Sequence, residues 1–353
     1  MSAPRLLPLL AVATLLALLL AASLLAVQSG APALAAHIGF ALGVMPLILA
    51  AMSYFVPVLT RGAGAGLAAW LPPLLALSGG TLLVAALATN YSDVVISLAA
   101  LLAIGAALGV ALWAIGRVRR MLGRRHPGLD WYLAALAMLL LALCAVLAMP
   151  WFPAQRGQLR LFHLHANLLG FVGLTALGTL QVLMPTCLGQ ADPEAGHRLR
   201  RDLKWAVAGG LMVALGASLP PPAGLLLAVA GCIAYLAAVL RMLFAWAGRF
   251  CGALLATHGA ATSLFAAALG LCFLLLFGVG HGFGVLSGRA AIAGFVVAFL
   301  LPLISGATAQ LLPIWLKPGG QGPWHANLRQ HLCRWSGARG FALLAVGLTM
   351  ALF

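Results

Sequence analysis

Nine histidines stand in a chain with only five acidic residues, so imidazole is its main reactive group. His126, His197, His325 and His331 lie in basic stretches and are expected to be solvated or at lipid headgroups. His37, His163, His165, His258 and His281 lie in or beside apolar runs. Imidazole is a common ligand of haem iron and of copper, and it binds them as the neutral ring. It can therefore sit at membrane depth without the cost of burying a charge. His37, His163, His165 and His281 are the candidate metal ligands, with haem and/or copper as the candidate cofactor. Of these, His37 and His165 are the candidate principal cofactor ligands. His258 falls toward the opposite membrane side from those four.

The elements that would hold these rings follow from composition. The chain has 353 residues, 64% hydrophobic and 7% charged, against about 25% charged in soluble domains. That excludes a soluble globular protein and a disordered one. A polytopic membrane protein remains, with the lipid bilayer as its solvent. Its net charge of +15 reads as loop topology, not as a nucleic-acid surface. The six cysteines contain no CxxC and read as buried free thiols.

Apolar runs define eleven spans, at about 6–27, 34–59, 67–89, 93–116, 131–152, 161–186, 205–219, 223–244, 252–278, 290–316 and 337–353. The run after Arg5 is long for a signal peptide and is read as the first span. With the N-terminus in the cytoplasm and strict alternation, 17 of the 20 Lys and Arg residues fall on the inner side. Only Arg156, Arg160 and Arg289 fall outside, the bias expected of an inner-membrane protein. Helices 2 and 6 then run inward, so His37, His163 and His165 lie near their outer ends, and His281 lies in an outer loop. Trp70, Trp131, Trp151, Trp205 and Trp315 fall near span ends and are expected to be interfacial anchors. The acids Asp93, Asp130, Asp192, Glu194 and Asp202 all lie in loops or at span edges. Ion-coupled transporters usually bury such groups deeper.

Three spans resemble one another. His37 to Pro57 reads HIGFALGVMPLILAAMSYFVP, and His165 to Pro185 reads HANLLGFVGLTALGTLQVLMP. Ala293 to Pro313 reads AGFVVAFLLPLISGATAQLLP, at the same length. These are spans 2, 6 and 10, a period of four helices. The expected fold is an all-α polytopic membrane protein of about 11–12 transmembrane helices. It forms a single transmembrane domain over 1–353, in three four-helix pseudo-repeats at about 1–116, 131–244 and 252–353. At 100° per residue, Gly170, Gly178, Gln181 and Pro185 lie roughly opposite His165. A close helix contact is expected on that glycine face, with His165 turned away from it toward a pocket. His163 lies about 200° from His165 and so cannot share its pocket.

The run from His165 through Pro185 resembles helix 6 of the haem–copper oxidase catalytic subunit, in its cbb3-type and nitric-oxide-reductase-like branch. The resemblance implies twelve helices in three pseudo-repeats, with histidine ligands on helices 2, 6, 7 and 10. His37 then stands where helix 2 of that family carries a haem ligand, and His165 where helix 6 binds copper or non-haem iron. The likeness does not extend to a complete oxygen-reducing centre, because span 7 has no histidine and span 10 has Ala293 at the repeat position. In role the chain is similar to the NnrS family, although the His-Glu pair of helix 2 is absent.

The expected function is therefore that of a bacterial inner-membrane haem- or copper-binding protein with a redox, nitric-oxide-response or metal-handling role. It would work with an electron donor or respiratory-complex partner. Two other functions stay open: a membrane transporter or permease, and a non-catalytic assembly subunit of a respiratory complex.

Overall fold

The computed structural model describes residues 6–28, 31–89 and 92–352. Arg5, one of the cations expected on the inner side, lies outside them. The described residues are helical throughout, joined by short loops, with no strand among them. In chain order the helices are α1 (Leu6–Ala26), α2 (Pro32–Leu59), α3 (Leu67–Ala88), α4 (Asp93–Arg120), α5 (Gly128–Ala148) and α6 (Pro153–Cys187). Then come α7 (Ala195–Ser218), α8 (Ala223–Leu254), α9 (Ala260–Gly282) and α10 (Gly288–Leu316). A short α11 (Pro323–Cys333) and α12 (Ser336–Leu352) end the chain.

Ten helical segments among the described residues are long and apolar enough to cross a membrane, α11 and α12 counting as one. The protein is an all-α polytopic membrane protein. The difference from the eleven expected spans lies at α7. Its first turns carry Arg198, Arg200, Arg201, Asp202 and Lys204, so its apolar run starts only at Trp205.

The chain divides into two compact units. One comprises residues 1–35, 180–195 and 236–353, and the other comprises 36–179 and 196–235. In the second unit, Trp131, Phe171 and Tyr235 are fully buried alongside Leu49, Met52 and Leu136. In the first, Leu7, Leu18, Trp246 and Phe299 are. The outer faces carry exposed Leu16, Leu112, Leu226 and Phe244, as lipid-facing surfaces do.

Backbones approach closely where glycine removes the side chain. On α6, a Cβ at Gly170 would lie 2.7 Å from Met138, and one at Gly178 would lie 2.6 Å from Trp131, both on α5. This is the close contact expected from the glycine face. On α9, a Cβ at Gly270 would meet the Ala298 carbonyl of α10.

The tryptophans correct one expectation. Trp151 and Trp205 are exposed, but Trp70, Trp131 and Trp315 are buried in protein. The Trp131 indole N–H donates to the Leu199 carbonyl at 2.9 Å, so it ties α5 to α7.

Two of the loop histidines are structural and not merely solvated. His325 is buried, its Nδ1 accepts from Gly322 N–H at 3.1 Å, and its Nε2 lies 2.8 Å from the Lys317 carbonyl. His126 Nδ1 accepts the Gly128 N–H at 3.1 Å, at the start of α5. Burial, then the charges of Arg200 and Arg61, hold the His126 pKa below its ordinary value of 6.5. The folded state thus favours the neutral ring. Its contribution is present above the unfolded pKa and is lost as pH falls through the folded one.

Two outcomes follow for thermal unfolding in detergent. Lowering the pH from 7 to 5 should depress the midpoint of the wild type more than that of His126→Asn, which keeps an acceptor and cannot titrate. Gly270→Leu should destabilise by about 1–3 kcal/mol through overpacking; an unchanged midpoint would refute the α9–α10 contact.

Candidate functional site

The second unit brings two of the candidate histidines together. The rings of His37 and His163 lie 6.3 Å apart between centroids, with their planes only 14° from parallel. His37 sits five residues into α2, and His163 lies two turns past Arg156 on α6. Both rings are half-buried. The sequence favoured His165 for this pocket, but it is the His163 ring that lies parallel to His37. The reason is in the packing of α6. His163 reaches the Ala142 carbonyl of α5, and Gly170 packs on Met138 of the same helix, so both lie on the side of α6 that meets α5. The His163 ring therefore lies along the glycine contact and not opposite it.

The partners of each ring fix what its nitrogens can do. His163 Nδ1 lies 3.0 Å from the Ala142 carbonyl of α5. A carbonyl only accepts, so Nδ1 carries the hydrogen and Nε2 keeps its lone pair. Asn167 adds a second contact, with Nδ2 at 2.9 Å from the His163 carbonyl and 3.2 Å from Nδ1. His165 Nδ1 is 2.9 Å from the Leu161 carbonyl, one turn back on its own helix. His281 belongs to the other unit, and its Nδ1 lies 2.8 Å from the Leu286 carbonyl of the following loop. His258 Nδ1 accepts the Trp335 N–H at 2.9 Å. Among the described residues no three or more His, Cys, Asp or Glu side chains form a group able to hold a metal ion. The set His37, His163, His165 and His281 is thus not assembled as one cluster.

Each of the three similar spans changes hydrogen-bond register just past the position aligned with His37. The π-helical stretches are Ile38–Val44 in α2, Ala166–Gly173 in α6 and Phe295–Leu300 in α10. In α2 and α10 the cause is a proline. Pro46 and Pro302 follow within two residues, and each removes the N–H that an α ladder needs. In α6 there is no proline at this point, and the Leu169 carbonyl takes the Tyr235 hydroxyl at 2.9 Å. Each stretch also faces a glycine on a later helix: Gly80 of α3 meets Ala41, Gly210 of α7 meets Leu169 and Gly170, and Gly347 of α12 meets Ala298. Sequence reasoning saw the recurring glycines and prolines but not the change of register, which depends on backbone bonding.

One ion pair lies near this end of the unit. Arg156 makes two bonds to Asp93, at 2.6 and 3.3 Å. Elsewhere in the unit, Asp130 pairs with Arg125 at 3.0 Å and buried Asp202 with Arg201 at 2.8 Å.

Tyr235→Phe leaves the Leu169 carbonyl without its hydroxyl donor. It should cost about 1–3 kcal/mol of stability, read as a lower unfolding midpoint in detergent. No protein-family model matches the chain, and no curated protein matches it.

Proposed function

We propose that the chain is a membrane haem protein that carries single electrons, with His37 and His163 as the residues that would hold the haem iron. The observation that carries this reading is the spacing of the two rings. Two histidine rings brought close together from different helices can ligate one metal ion. The His37 and His163 centroids are 6.3 Å apart.

The donor set favours haem over copper. A copper or non-haem iron site draws three or more ligands from the protein, and no such group is present among the described residues. Haem supplies its own equatorial nitrogens and asks the protein for only two. The Ala142 carbonyl on His163 Nδ1 is the outer partner that metal-binding histidines commonly have, leaving Nε2 for the metal. Bound here, haem would supply a one-electron ferric–ferrous couple. Two histidine ligands leave no open position, which suits electron transfer better than gas binding.

With α7 crossing as the seventh of eleven spans, the arginine distribution would put the protein in a bacterial inner membrane with its N-terminus cytoplasmic. It would exchange electrons with a respiratory partner on the outer side, where His37 and His163 then sit. The transporter reading has less support, because Asp93, Asp130 and Asp202 are each engaged by an arginine.

A reduced-minus-oxidised optical spectrum of detergent-purified protein, expressed with haem available, tests the assignment. Wild type should show a low-spin haem spectrum. His37→Ala and His163→Ala should each lose it, whereas His165→Ala and His281→Ala should keep it. Loss in His165→Ala with retention in His163→Ala would move the second ligand by two residues. A wild type without haem would sink the proposal.

A further inference from the structure

We infer that α11 and the turns at its two ends form a surface that takes anionic phospholipid headgroups, with Lys317, Arg329 and Arg334 on phosphate and Trp324 and Trp335 in the membrane interface. The surface belongs to the first unit, and it stands apart from the haem reading.

The charge of this region is uncompensated. No acidic residue follows Asp202 in the sequence, whereas Lys317, Arg329, Arg334 and Arg339 follow one another around α11. None of the four forms an ion pair among the described residues. The other basic stretches differ, since Arg125 has Asp130 and Arg201 has Asp202. Arg339 is taken up by the Ser305 hydroxyl, to which its Nε donates at 3.1 Å. Lys317, Arg329 and Arg334 remain without an anion.

The helix itself is suited to the membrane surface. Its 11 residues rise about 16 Å, too little to cross a hydrocarbon layer of about 30 Å. His325, Leu328, Arg329 and Leu332 are buried or half-buried, a stripe at helical spacing, while Trp324, Asn327, Gln330 and His331 are exposed. The helix therefore lies along the protein on one side. It sits between the end of α10 and the start of α12, the level at which those spans meet headgroups.

Both ends are fixed. Before the helix, the Lys317 carbonyl accepts from His325 Nε2 and Gln321 Oε1 accepts from Arg329 Nη2, each at 2.8 Å. The Lys317 ammonium lies 5.8 Å from the centre of the Trp324 ring. After the helix, Trp335 breaks the path to α12 with φ of 59°, a conformation that bulky residues rarely adopt. Its N–H donates to His258 Nδ1 at 2.9 Å, and the Gly259 N–H donates to the Cys333 carbonyl at 3.0 Å. These bonds hold the bend and leave the Trp335 side chain exposed. Exposed tryptophans favour the headgroup level, and guanidinium groups match phosphate oxygens. Holding them in place beforehand lowers the ordering cost of binding.

Native mass spectrometry of the full-length protein, released from neutral detergent with added phosphatidylglycerol or phosphatidylcholine, tests this. Wild type should bind phosphatidylglycerol at least about tenfold more tightly. Lys317→Gln/Arg329→Gln/Arg334→Gln should remove that preference. Arg119→Gln/Arg120→Gln/Arg124→Gln deletes three exposed cations elsewhere and should keep it. Should the first variant fail to fold, Lys317→Gln/Arg334→Gln changes only exposed side chains and should cut the preference about fivefold or more. Equal binding of the two lipids, or equal loss in both triple variants, overturns the inference. Displacement of phosphatidylglycerol by excess inorganic phosphate also overturns it, by making the site one for a free anion.

Discussion

Everything in this fold depends on satisfying the backbone's hydrogen bonds without water. In hydrocarbon an unpaired N–H or C=O costs several kcal/mol, so a helix must close its own ladder or borrow a partner. The π-helical stretches in α2, α6 and α10 are where the ladder is disturbed. In α6 the neighbours make good the fault: the Tyr235 hydroxyl reaches Leu169, and the Asn167 amide reaches His163. Glycines facing these stretches let the surrounding backbone come close. The His37–His163 pair sits at the mouth of two such disturbances, since a wider turn reorients the side chains that flank it.

The same economy governs the polar side chains. A chain with five acids has little capacity for buried charge, and it commits Asp93, Asp130 and Asp202 to arginine pairs. Histidine then does the remaining polar work because it can be both donor and acceptor without charge. His325 clasps the turn before α11, His126 caps α5, and His258 holds the Trp335 backbone. Several histidines in an apolar chain are thus fasteners, and a pair of parallel rings stands out against that background.

Much of the fold was legible in the sequence, because apolar run length alone separates spans from loops. The miss at α7 came from one helix carrying charged first turns and an apolar end, where the net run is short. His37 was legible as a candidate from its place near the start of a span, and the structure sets its ring beside that of His163. His163 was not preferred over His165, since the repeat register pointed to the latter and the argument assumed a regular α-helix. The face that meets α5 depends on which glycines find partners, and Met138 and Trp131 cannot be picked out from the spacing of α6 itself. The buried Trp70, Trp131 and Trp315 show that a span end can be covered by protein instead of headgroups.

The apolar end of α7 has a consequence for the membrane itself. Residues 205–218 rise about 21 Å as a helix, well short of a hydrocarbon layer of about 30 Å. Were α7 to cross, a bilayer that meets the exposed Trp205 and Leu215 side of this helix would thin beside it or draw headgroups inward toward Lys204. Such mismatch costs fractions of a kcal/mol per ångström, enough to favour thinner membranes. The short helix would act as a dent in the sheet around the protein, and that dent would gather neighbours of matching thickness.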